Sequence, residues 1–127
     1  MGRIIYRYFN GRTQELQGFV VLGEAAWNLG LRMALYERAH ISMGVNTGPM
    51  GLCWLNARTH YATLKMAPEN VPQTSRAFYL ELGFEPGRSL PFAAPTQELV
   101  WQDDTLEAIQ RAFTRIAERL EGKAQDA

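Results

Sequence analysis

With 127 residues, 46% of them hydrophobic and 20% charged, the chain has the composition of a single globular domain, 1–127, large enough to bury a core without staples. Lys and Arg number 13 against 13 Asp and Glu, so the composition carries no strong nucleic-acid footprint. The single cysteine, Cys53, excludes an internal disulfide and fits a reducing, cytoplasmic compartment. No stretch approaches the ~20 apolar residues of a membrane span, and the first residues lack the apolar region of a signal peptide.

The N-terminal stretch Arg3–Phe9 is rich in β-branched and aromatic residues, and Asn10-Gly11 follows it. That dipeptide favours a type I′ turn, so the pattern predicts a hairpin with Tyr6 opposite Glu15 and Ile5 opposite Leu16. The second arm ends in the apolar run Phe19–Leu22, which reads as a strand buried on both faces. Gly23 breaks it. Glu24 to His40 reads as a helix with Trp27, Leu31, Ala34 and Leu35 on one face. Ser42–Gly51 is rich in glycine and carries Pro49, so it reads as a loop. Leu52–Leu55 reads as a short apolar strand. His60–Met66 alternates, with His60, Ala62, Leu64 and Met66 on the buried face.

Pro72 fits the entry to a helix that Thr74 or Ser75 caps, and Gly83 suits its left-handed end. Phe84 begins a further strand, and Glu98–Gln102 is the last one. Asp104 with Glu107 three residues on makes a capping-box pattern for the final helix. Leu106, Ile109, Phe113, Ile116 and Leu120 form a narrow apolar seam along that helix. The seam admits two readings: docking on the sheet, or pairing with a second chain as a homodimer. The whole pattern is α+β, or mixed α/β. It describes a single sheet with an N-terminal β-hairpin, two packed helices and a C-terminal amphipathic helix.

The chemistry-bearing residues are sparse. No CxxC, HExxH or helically spaced histidine pair is present, so no metal set is read from the sequence. His60 falls on an apolar face, where a hydrogen-bonded core histidine is the commoner outcome. Cys53 lies among apolar residues, where a thiol is inert.

One segment resembles a known family. Asn70, followed by Ala77-Phe78-Tyr79-Leu80-Glu81-Leu82-Gly83-Phe84, is similar to the late motif of GNAT-type N-acetyltransferases, in which an Asn leads to a helix ending Tyr-x-x-x-Gly-Phe. The resemblance implies a GNAT-like fold and acetyl-CoA as cofactor. It also implies Tyr79 as general acid to the leaving thiolate, with Gly23 and Asn70 at the coenzyme. The family's Arg/Gln-x-x-Gly-x-Gly/Ala motif is absent after Leu22, where Glu24 stands in the place of the pyrophosphate contacts. Phe78-Tyr79 with Leu82-Gly83-Phe84 also resembles the first helix of the vicinal-oxygen-chelate fold, with His60 as its metal-ligand histidine. Three functions therefore stay open: a non-catalytic domain binding a small molecule or a protein partner, an acyl-CoA-dependent N-acyltransferase, and a chelate-type metal-dependent enzyme or drug-binding protein.

Overall fold

The computed structural model describes residues 3–5, 19–68 and 71–126, with side chains for 22–68 and 71–125. The described residues fall into two compact units, 1–35 and 36–127.

In the first unit, β1 (Arg3–Ile5) and β2 (Phe19–Val21) pair in parallel, with Arg3 opposite Phe19 and Ile5 opposite Val21. This overturns the hairpin reading. A two-residue turn joins only antiparallel neighbours, whereas a parallel pair needs a crossover connection. Asn10-Gly11 itself lies outside the described residues. The strand β2 appears where the apolar run places it.

A 3₁₀ turn, Gly23–Ala26, follows. The helix α1 (Leu29–Arg38) starts only after it, because Asn28 intervenes as a cap: its Oδ1 accepts the Leu31 N–H at 3.0 Å. The expected continuous helix from Glu24 is thus split. Its expected apolar face is also displaced, since Trp27 is 80% exposed and the buried residue of α1 is Arg32. The Arg32 guanidinium donates to the Ala25 carbonyl at 2.7 Å and the Ala26 carbonyl at 2.9 Å, satisfying groups at the end of the 3₁₀ turn.

The second unit is an α/β layer structure. Three strands, β3 (Ser42–Val45), β4 (Tyr61–Leu64) and β5 (Gln97–Leu99), lie side by side in that order, all parallel. The helix α2 (Gly48–Trp54) links β3 to β4, and α3 (Arg76–Glu81) lies between β4 and β5. The long α4 (Leu106–Asp126) closes the chain. Strands alternating with helices on a parallel sheet define α/β, and the expected α+β sheet with its antiparallel strands is corrected accordingly. No antiparallel pair of the GNAT kind occurs among the described residues.

Two local readings are reversed between Ser42 and Leu55. The expected loop begins as β3, and the expected strand Leu52–Leu55 is the end of α2 and the residue after it. Pro49 sits in the first helical turn, where its missing N–H costs nothing. Burial of Met50 and Cys53 then decides the outcome against two poorly helix-forming glycines, Gly48 and Gly51. Gly44 allows α2 to approach: a Cβ there would lie 2.9 Å from Met50 Sδ.

Every residue of β4 is buried, rather than every second one. A central parallel strand is covered on both faces. Tyr61 and Met66 join Met50, Cys53, Tyr79, Leu99 and Trp101 beneath α2 and α3. Ala62 and Leu64 join Val100, Ala108, Ala112 and Ile116 beneath α4. The seam of α4 is therefore divided. Ile116 is fully buried on the protein's own sheet, and Ile109 and Leu120 are half-buried there, while Leu106 is 70% and Phe113 46% exposed. Glu98, on β5, ties α4 down further through Arg115 at 3.0 Å and Arg119 at 2.6 Å.

Helix ends follow local chemistry. Ser75 Oγ accepts the Phe78 N–H at 3.2 Å, and Gly83 takes φ +84° as α3 ends. No strand starts at Phe84; residues 84–96 are irregular, and β5 begins one residue earlier than the expected Glu98. Thr105, not Asp104, caps α4, its Oγ1 accepting the Ala108 N–H at 3.1 Å. Asp104 instead faces Lys65, Nζ to Oδ1 3.4 Å. No helix among the described residues is long and apolar enough to cross a membrane.

Candidate functional site

Two places in the second unit bring functional groups together. The first is the carboxyl edge of the sheet, the end at which parallel α/β sheets place ligands. Beyond β3, the Asn46 N–H donates to the Leu64 carbonyl at 3.0 Å, extending the β3–β4 ladder. Its side-chain Nδ2 donates to the Met66 carbonyl at 2.8 Å and also to the Tyr79 hydroxyl oxygen. One amide thus joins the ends of two strands to α3. Beyond β4, Lys65 takes φ +53°, a left-handed conformation costly for a residue with a side chain. Its N–H still reaches the Gln102 carbonyl at 3.0 Å.

The Lys65 backbone permits a direct check. Lys65→Gly removes the left-handed penalty and loses only an exposed ion pair worth about 0–1 kcal/mol. The expected outcome in urea unfolding is a stability equal to the parent or higher by about 0.5–1 kcal/mol. A loss above about 1 kcal/mol would show that the Lys65 side chain holds the edge together.

The second place is an apolar groove of about 300 Å³ near the C-terminal ends of α2 and α3. Trp54, Leu55, Leu82, Phe84, Leu90 and Phe92 provide its apolar walls, with Glu85 and Ser89 as polar members. It forms because the irregular chain after Gly83 turns back across the end of α2. Trp54 is fixed by its Nε1–H donating to Thr63 Oγ1 at 2.9 Å and by an edge contact with Phe84 at 6.3 Å. The rim is unusually apolar: Leu55 is 84%, Phe92 65% and Leu82 57% exposed. The groove does not include the carboxyl-edge residues. For apolar ligands its shape and lining carry more weight than the polar network.

The residues singled out in the sequence are dispersed. Tyr79 is 6% exposed and packs edge-on against Phe84 at 5.0 Å and Trp101 at 5.3 Å. Gly23 is exposed at the start of the 3₁₀ turn in the first unit, and nothing lies within 4 Å of a Cβ built there. Asn70 lies outside the described residues. His60 Nδ1 contacts Thr96 Oγ1 at 2.7 Å, and its pKa is lowered first by burial, then by Lys123 and His40. Among the described residues no three His, Cys, Asp or Glu side chains gather as a metal-binding group. Cys53 is fully buried and its thiol is pushed up to about 12 by burial, against a smaller opposing hydrogen bond from Ser42.

Asn46, Lys65, Leu55 and Phe92 carry these places and were not legible as site residues. Asn46 sits in a stretch with turn chemistry, and its partner Tyr79 is distant in sequence. The apolar residues Leu80, Leu82 and Phe84 were the available signal for the groove, but their pattern reads as helix contacts, whereas Leu80 and Leu82 are 60% and 57% exposed. The class defined by the fold is a small α/β domain with a three-stranded parallel sheet. No family model matches the chain, and no curated protein or solved structure gives a significant match.

Proposed function

We propose that this chain is a non-catalytic binding domain of the cytoplasm whose ligand is a small apolar or aromatic molecule. The observation that carries the reading is the groove. Its volume of about 300 Å³ reaches the lower end of the range for small-molecule sites, roughly 300–1,000 Å³. Its lining matches as well, being mainly apolar and aromatic with a few polar groups. Leu55, Leu82 and Phe92 expose apolar surface beside it, which a bound ligand would remove from water.

The test uses N-phenyl-1-naphthylamine, a neutral fluorophore that brightens in apolar surroundings. One molecule is expected to bind per chain. The double variant Leu55→Ser/Phe92→Ser is expected to weaken binding about tenfold or more, since each side chain contributes on the order of 1–2 kcal/mol of burial. Both positions are exposed, so the melting temperature stays close to the parent's. Unchanged affinity in the double variant would remove the groove as the site. Acetyl-CoA is run alongside. A ligand that binds the native state raises the melting temperature, so a saturable rise with acetyl-CoA and none with the fluorophore would replace this reading by the acyltransferase one.

A further inference from the structure

The apolar groove has a charged end. A second cavity, of about 210 Å³, is lined by Glu85, Arg88, Ser89 and Pro91, and all of these but Arg88 also line the groove. The two spaces therefore adjoin along the irregular chain after α3. Both members of an ion pair line the smaller one, with Arg88 Nη1 3.3 Å from Glu85 Oε2.

The backbone that carries this pair is tied to the core. The Arg88 N–H donates to the Glu85 carbonyl at 3.0 Å, with Gly87 between them at φ +90°. The Arg88 carbonyl accepts the indole N–H of the buried Trp101 at 2.9 Å, and Ser89 Oγ accepts the Leu99 N–H at 3.2 Å. The turn is thus anchored to β5 and the residues after it, which places both charges before a ligand arrives. The two side chains are exposed, and an exposed ion pair contributes little to stability. A ligand parts them easily, provided that each charge receives a new partner.

That condition selects the ligand. An anion would satisfy Arg88 and repel Glu85 beside it. A cation would satisfy Glu85 and repel Arg88. A zwitterion serves both, and an α-amino acid carries its ammonium and carboxylate on one carbon, as two neighbouring groups of opposite sign require. Its side chain then continues among Trp54, Leu82 and Phe92 in the groove. We infer that the groove takes an α-amino acid with an apolar or aromatic side chain, its ammonium on Glu85 and its carboxylate on Arg88. Hydrogen bonds between ionised partners are stronger than neutral ones, so this end sets the orientation of the ligand. The inference rests on the groove being the binding site.

The experiment is displacement of N-phenyl-1-naphthylamine by L-phenylalanine, 3-phenylpropionate or 2-phenylethylamine. The last two keep the ring and carry one charge each. Phenylalanine is expected to displace the dye at a concentration at least about tenfold lower than either. Arg88→Gln is expected to weaken phenylalanine about tenfold and to let 2-phenylethylamine compete at least as well as it does. Glu85→Gln is expected to do the same in favour of 3-phenylpropionate. Both positions are exposed, so melting temperatures close to the parent's verify that the variants fold. A singly charged analogue that matches phenylalanine on the parent chain overturns the inference, as does an order of preference that neither variant changes. Dye that binds but is not displaced by phenylalanine overturns this inference alone. A chain that does not bind the dye overturns the groove reading and this inference with it.

Discussion

Tyr79→Ala is expected to destabilise the chain by about 3–5 kcal/mol, the range for removing a buried aromatic side chain. The ring is nearly buried and closes a cluster with Phe84, Trp101 and Phe78, at centroid distances of 5.0, 5.3 and 6.1 Å. Aromatic pairs in such edge arrangements add to simple burial. The change also strands an Asn46 hydrogen that now reaches the hydroxyl. Domains of this kind are stable by roughly 5–15 kcal/mol, so the loss takes a large share of the total. Urea unfolding followed by Trp fluorescence measures it, with Tyr79→Phe beside it to separate ring from hydroxyl. A loss below about 1 kcal/mol for the alanine variant would mean that α3 is not packed on the sheet as described.

Stability is expected to fall steeply in alkali, between about pH 9 and 12. The Cys53 thiol goes from its ordinary 9.0 to about 12 through burial, and the Tyr61 hydroxyl from 10.0 to about 12 through burial with a smaller contribution from Cys53. Both folded values lie above the unfolded ones. The contribution is therefore complete below the unfolded pKa and is lost as the pH climbs toward the folded pKa. Over that interval the unfolded chain has released a proton that the native chain still holds, and each such group costs about 1.4 kcal/mol per pH unit. Urea unfolding at one-unit steps from pH 8 to 11 reads the slope. Cys53→Ala is expected to flatten it first, from pH 9 upward, by about one proton. A slope unaffected by Cys53→Ala would show that the thiol titrates normally and is reached by water. Tyr61 adds a separate liability, since its buried hydroxyl has no hydrogen-bond partner among the described residues.

The parts of the fold that the sequence reveals are those whose cause is local. The capped helix from Ser75 to Gly83 is one, because a serine and a glycine mark its two ends within a few residues of each other. The amphipathic α4 is another, and β4 lies within the expected His60–Met66, although its burial on both faces replaces the alternation that suggested it. Strand direction is different. Asn10-Gly11 is a strong local turn signal, yet the pairing of Arg3 with Phe19 is parallel, and only long-range packing decides that. The helix α2 was hidden because its glycines argue against a helix while its apolar residues suit either state. It forms because Met50 and Cys53 have a sheet to cover.

The sites divide in the same way. Tyr79 drew notice through a motif, and the structure gives it a different neighbourhood, held by an asparagine from the end of β3. That bond joins residues 33 apart, a relation with no trace in residue spacing. The groove is equally non-local, since Leu55 and Phe92 come from two separate irregular segments. Asp104 and Glu107 matched a capping pattern, but Thr105 is one residue nearer the helix and took the role. Asp104 was then available to pair with Lys65.

The strand order also sets an order of assembly. Ser42 must find Tyr61 for the first parallel ladder, whereas Tyr61 must find Gln97 across a longer intervening chain for the second. Closing a loop costs more as it lengthens, by about 0.6 kcal/mol for each doubling. The unit β3–α2–β4 is therefore the cheaper nucleus of this sheet, and it also leaves the ribosome before β5 does. Until β5 arrives, β4 waits with one edge unpaired and its later partner face bare of α4. The most deeply buried strand of the finished protein is thus its most exposed liability during synthesis, and delay between Met66 and Gln97 lengthens that exposure.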